Sequence, residues 1–175
     1  MTGSPASGMS DGDVVALYDR LEALGVRIWI DGGWGVDALL GEHTRPHGDL
    51  DIAIQQADVP RLRSLLKTDG YRDVPRDDSQ PWNFVLGDSA ERLIDVHVVV
   101  FDTAGNGILG PPENGNMYPA GSLDGSGVIA GREVRCIAPE FLVSFHTGYA
   151  PRPSDRHDVA LLCGRFGIPL PEAYR

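Results

Sequence analysis

Three carboxylates, two glycines and two basic side chains are spaced in this chain as a site for a metal cation and a phosphate would require. In GDLDIAI (48–54) Asp49 and Asp51 lie two apart, and in LIDVHVVV (93–100) so do Asp95 and His97. Residues two apart in a strand share a face. Each acidic pair therefore points one way, while Leu50, Ile52 and Ile54, or Ile94, Val96, Val98 and Val100, point the other. If the two strands are neighbours, three carboxylates converge, and their repulsion calls for a cation among them. Oxygen ligands of this kind suit Mg²⁺, which also takes phosphate oxygens. The plainer alternative is a solvated strand face that happens to carry Asp at alternate positions.

Two neighbouring features favour a site. Gly32-Gly33 follows a short strand, where glycines let backbone amides approach a phosphate, and the helix opening at Trp34 adds its positive end. Arg45 and His47 stand just ahead of the carboxylates, within reach of phosphate oxygens the cation leaves unneutralised. Asp37 lies in the same stretch as a polar helix residue able to bond local backbone. On the acceptor side, Trp82 and Asn83, with Glu113, Asn116 and Tyr118 of a later loop, combine aromatic rings with amides and a carboxylate. Such a set can stack on a sugar ring and bind its hydroxyls, with His97 facing the same space. A polar loop with one half-buried Trp accounts for the same residues.

The elements that must position these groups follow from periodicity. Val15, Leu17, Leu21 and Leu24 predict a helix over 14–24, Arg27 to Ile30 a strand, and Trp34 to Leu40 a helix stopped by Gly41. Asp49 to Ile54 alternates as a strand, and Asp58 caps a helix with Pro60 in its first turn. Residues 71–74, 84–86 and 92–101 read as strands, and Val128 to Ile137 as a hairpin across Ala130-Gly131. The segment 103–127, with seven glycines and three prolines, reads as loop. Two helices close the chain, 139–149 and 154–166, with Pro151 and Pro153 between them. The expected fold class is α+β (mixed α/β), a mixed sheet flanked by helices. The expected organisation is a flexible tail over 1–11, a catalytic domain over 12–137, and a helical extension over 138–175 packed on it.

Taken together, DGGWGVDALLG, TRPHGDLDI, LIDVH, GREVRC and FHTGY…DRHDVALL resemble the nucleotidyltransferase superfamily with the polymerase-β-like fold. Within it the resemblance is nearest to the lincosamide and next to the aminoglycoside nucleotidyltransferases, and it runs from about residue 14 to residue 165. The resemblance implies that Gly32 and Gly33 hold the nucleotide phosphates, that Asp49, Asp51 and Asp95 bind two Mg²⁺ ions, and that Asp95 serves as base for the acceptor hydroxyl. It implies that Arg45 and His47 face the triphosphate. Where many members carry a lysine on the C-terminal helix, this chain has Arg156-His157, so either residue, or neither, takes that part. The implied reaction transfers AMP from ATP to a hydroxyl of a small antibiotic and releases pyrophosphate. So small a catalytic unit leaves the acceptor pocket open, and a homodimer that completes it is expected.

Composition bounds these readings. The 175 residues suit one domain or one with a small appendage, and the net charge of −10 argues against a nucleic-acid binder, which needs a basic face. The main rival is a toxin-like nucleotidyltransferase acting on tRNA or protein, and the acidic charge counts against tRNA. A glycosyltransferase with an Asp-x-Asp motif would lack both the glycine pair and a third strand Asp. A non-catalytic nucleotide-binding module would be expected to have lost a carboxylate. No apolar run reaches membrane-span length and the N-terminus lacks signal-peptide character, so the expected compartment is the cytoplasm. Cys136 and Cys163 are far apart in apolar surroundings and read as buried free thiols.

Overall fold

The computed structural model describes residues 8–175. Ser10 opens helix α1 (Asp11–Ala23) with a reciprocal capping box to Asp13, and Val14, Leu17, Tyr18 and Leu21 form its buried stripe. Residues 1–7 of the expected tail lie outside the described residues. The other four belong to the fold: Met9 is buried in the core, Ser10 caps the helix and Asp11 begins it. A hydrophobic residue just before a cap tends to pack inward and fix the entry of the chain.

Strand β1 (Ile28–Asp31) leads directly into α2 (Gly32–Leu40). The expected Gly-Gly turn is therefore the first turn of the helix itself, capped by the Asp31 side chain, and Gly41 ends it with φ 73°. Then follow β2 (Leu50–Gln55), a 3₁₀ turn, α3 (Val59–Thr68) with Leu62 and Leu66 buried, the two-residue β3 (Arg72–Asp73), β4 (Asn83–Gly87) and β5 (Leu93–Phe101). The segment 103–127 departs from the loop expected there. It holds β6 (Gly107–Leu109), a 3₁₀ turn, β7 (Met117–Tyr118) and the start of β8 (Gly125–Ile129). Runs of two or three residues are too short to show periodicity. β9 (Arg132–Cys136) completes the expected hairpin, with Ala130 and Gly131 both at positive φ. Helices α4 (Pro139–Phe145) and α5 (Pro153–Phe166) end the chain; α4 stops short of Tyr149, capped at His146.

The strands form one mixed sheet in the order β3-β4-β5-β2-β1-β9-β8, with β6 and β7 appended to β5. One face carries Ile28, Ile30, Ile52, Ile54, Ile94, Val96 and Val98 against the buried sides of α1 and α3. The other carries Trp29, Ala53, Val99 and Ile137 against Leu142 and Val143 of α4 and Val159 and Leu162 of α5. The C-terminal helices thus share a core with the sheet. At one end of this second face the apolar residues give way to acids.

Candidate active site

β2 runs parallel to β5 and antiparallel to β1, and the register puts Asp51 beside Asp95 on one side and beside Asp31 on the other. Three aspartates therefore form a row across three adjacent strands, on the face opposite Ile52, Ile54, Val96 and Val98. Side chains directly opposite one another on one face are close neighbours. Asp31 was not singled out by sequence reading. Its signal was available, because Trp29 and Asp31 alternate in β1 and the acid abuts the glycine pair.

The row is chemically uneven. Asp31 is satisfied: its Oδ1 accepts from the Gly32 amide at 2.7 Å and its Oδ2 from the Tyr118 hydroxyl at 2.7 Å. Asp51 and Asp95 are not. His97 Nε2 lies 3.7 Å from an oxygen of each, and Arg76 reaches to 3.8 Å from Asp95. Burial, together with the neighbouring charges of Asp49 and Asp31, raises the Asp51 pKa to about 6 against the pull of His97. Burial raises Asp95 as well, with Asp49 adding to it. Burial opposes charge on His97, but Asp51, Asp31 and Asp95 outweigh it and hold the imidazole at about 9. A protonated imidazole wedged between two carboxylates fills the role of a cation.

Ligand oxygens of Asp51 and Asp95 and a nitrogen of His97 all lie within 4.8 Å of one another. Asp49, half-buried and just ahead of β2, is not in that cluster, although its charge bears on both acids. Two crowded, partly desolvated carboxylates with a third close by suit a hard divalent cation.

Gly32 makes the row possible. Its φ is +56°, and a Cβ there would come within 2.2 Å of Asp51 Oδ2. The bare faces of the glycine pair thus admit protein atoms, since a Cβ on Gly33 would meet His47 Nδ1 at 2.3 Å and Arg45 at 2.8 Å.

The expected basic pair is engaged elsewhere. Arg45 makes a bidentate pair with Asp158 of α5, Nε–Oδ1 2.8 Å and Nη2–Oδ2 2.6 Å. His47 is buried with its Nε2 2.5 Å from Asp37 Oδ2, and Thr44 donates to Asp37 Oδ1 through its amide and hydroxyl at 3.2 and 2.7 Å. These contacts strap residues 44–47 to α2 and α5 and so fix the approach to Asp49. The Trp34 side chain is also buried, its ring centroid 4.8 Å from that of His47, so only its backbone is available to a nucleotide. On α5 the exposed Arg156 lies over the Tyr174 ring, while His157 Nε2 contacts Thr44 Oγ1 at 3.1 Å.

On the acceptor side the expected residues separate. Asn83 pairs with His97 across β4 and β5 and so shares the acidic face. Trp82 does not: it lines a cavity with Val98, Val100 and Ile108 on the opposite face. It precedes β4, outside the alternation that assigns faces. Tyr118 is buried, and its ring packs edge-on against Phe145 while its hydroxyl serves Asp31; it supports the site rather than lining it. Glu113 and Asn116 are exposed near the β6–β7 connection and make no hydrogen bond to the acidic row.

The family model described as Aminoglycoside-2''-adenylyltransferase matches residues 13–162. The chain is 26% identical over 153 residues to a lincosamide resistance protein of Staphylococcus haemolyticus, covering 87% of this chain and 94% of the relative. It is 30% identical over 145 residues to a 2''-aminoglycoside nucleotidyltransferase of Klebsiella pneumoniae, covering 81% and 77%. The crystal structure of the lincosamide antibiotic adenylyltransferase LnuA with lincomycin bound superposes with a TM-score of 0.77 at 26% identity, over 89% of this chain and 98% of that one.

Proposed function

The chain belongs to the aminoglycoside-2''-adenylyltransferase family, and from that premise we propose that it moves AMP from ATP to a ring hydroxyl of a small amine-bearing antibiotic, releasing pyrophosphate. The observation that carries the reading is the register of Asp51 beside Asp95, two carboxylates that share one imidazole between them. Asp49, Asp51 and Asp95 would hold the magnesium, which when bound neutralises charge on the reacting phosphate and its leaving group. The acceptor oxygen bonds to the α-phosphorus as the bond to the bridging oxygen breaks, and the hydroxyl proton passes to Asp95. His97 orients Asp51 and Asp95 from between them. The first-turn amides of α2, at Gly33 and Trp34, with the positive end of the helix, would meet the triphosphate, and Arg76 lies 3.8 Å from Asp95 on the other side from α2 as a further cation beside His97.

A lincosamide is favoured over an aminoglycoside because the match runs through nearly the whole staphylococcal relative. The net charge of −10 suits a cationic acceptor of either kind. Asn83 shares the acidic face and contacts the acceptor there, and a second copy of the chain closes the open side of the pocket. Purified protein incubated with ATP, Mg²⁺ and a panel of lincosamides and aminoglycosides tests the assignment by mass spectrometry. A lincosamide gaining one AMP unit is the expected result; no acceptor gaining it while ATP still binds would overturn the drug assignment.

A further inference from the structure

Away from the acidic row lies a second cluster of ligand-type side chains. Asp37 of α2, and His43 and His47 of the strap that follows it, place one carboxylate oxygen and two imidazole nitrogens within 4.8 Å of one another. Asp37 Oδ2 is the common neighbour, 2.5 Å from His47 Nε2 and 4.0 Å from His43 Nε2. We propose that Asp37, His43 and His47 form a second metal site, for a transition-metal dication of the zinc type and distinct from the magnesium-binding row.

The donor set decides the class of ion. Imidazole nitrogens favour zinc, copper or nickel over magnesium, and two histidines with one carboxylate leave a fourth position open. His43 and His47 stand four residues apart, and their rings stack at 5.5 Å and 22°. The outer contacts are those of a built site: Thr44 donates twice to Asp37 Oδ1, which fixes the carboxylate with Oδ2 toward the two imidazoles. Trp34 packs on both imidazoles, at 4.9 and 4.8 Å between centroids, and holds their planes.

There is room and a way in. A cavity of about 30 Å³ borders the cluster on the side away from His47, lined by Trp34, Asp37 and His43 among others. The buried Trp34 Nε1 has no hydrogen-bond partner among the described residues, a donor left over for a metal-bound water. His43 is 42% exposed and gives the ion its entry, whereas His47 is 2% exposed. Binding requires the Asp37–His47 contact to open by less than about 1 Å, since ligand atoms each about 2.0–2.1 Å from a tetrahedral zinc lie about 3.3 Å apart.

The test separates this site from the acidic row. Zinc binding is counted by equilibrium dialysis in saturating Mg²⁺ on Asp95→Asn and on Asp95→Asn/His43→Ala, with Co²⁺ absorption reporting the coordination. The expected result is one zinc equivalent on the first protein, visible bands of tetrahedral intensity with cobalt, and binding weakened at least tenfold on the second. His43 is exposed, so its replacement leaves the fold intact, which circular dichroism checks. No zinc on the first protein, or equal binding by both, would overturn the proposal.

Discussion

Asp158 on α5 is buried and Asp51 on β2 partly so, yet Asp158 has a guanidinium to itself whereas Asp51 shares one imidazole with Asp95. Asp158 takes a two-point bond from Arg45. Its neighbour Asp155 takes three from Arg152, which outweigh burial and keep its pKa low. Asp51 has one histidine at 3.7 Å, shared with Asp95, and its pKa rises to about 6. The α5 acids are braces; the two sheet acids have one imidazole between them and so keep the greater unbalanced charge. Residue type does not separate the two groups, because both are aspartates with a basic residue nearby. What separates them is whether the partner's geometry spends the charge.

The comparison can be broken most forcefully at Asp95. Asp95→Asn keeps the shape and removes a crowded charge, so we expect AMP transfer to fall at least about a thousandfold, the several kcal/mol a held metal contributes. The metal-free melting temperature should hold or rise. Steady-state turnover together with thermal melts in chelator measures both, and near-normal turnover would remove Asp95 from the site.

Arg45→Met should do the reverse. It strands Asp158, which is 1% exposed, and should cost about 3 kcal/mol in denaturant unfolding, the usual penalty for breaking a buried pair from one side. Arg45→Met/Asp158→Leu should regain most of that loss. If the single variant stays as stable as the parent, the brace is not one.

Gly32→Ala probes the junction between helix and row. Its Cβ cannot sit 2.2 Å from Asp51 Oδ2, and a carboxylate displaced by about 1 Å costs about a hundredfold in rate. Alanine at positive φ also costs about 1 kcal/mol of stability. Parallel assays of turnover and urea unfolding separate the two effects.

The smallest effect is a pH slope. Folded Asp51 titrates at about 6 against an ordinary 3.8, so between those values the folded chain binds more protons than the unfolded one. Its contribution to metal-free stability therefore falls as pH rises from 3.8 to about 6. His97, raised from 6.5 to about 9, adds stability that is full below 6.5 and lost as pH rises through about 9. Melts of the parent and of Asp51→Asn across pH 4–6 should differ in slope. Identical slopes would mean Asp51 is not perturbed.

Much of this was legible in the sequence, for definite reasons. Asp51 and Asp95 announced a common face because strand alternation is local, and the helices that flank them carry clear apolar stripes. The roles of Arg45 and His47 were not legible. The partner of Arg45 is 113 residues away, and His47 meets Asp37 only because the chain folds back on α2. Asp31 could have been found from the alternation of β1. Tyr118 and Trp82 could not be placed, one in a two-residue strand and the other just outside β4. Local pattern assigns a face; which charge a side chain spends is settled by tertiary partners.

The most direct test of the central claim is a crystal structure with Mn²⁺ and a non-hydrolysable ATP analogue, read by anomalous scattering. Manganese is expected among Asp49, Asp51 and Asp95, with the triphosphate against the first turn of α2 and Arg45 still bound to Asp158. A manganese-free acidic row beneath a bound nucleotide, or Arg45 swung from Asp158 onto the phosphates, would contradict it.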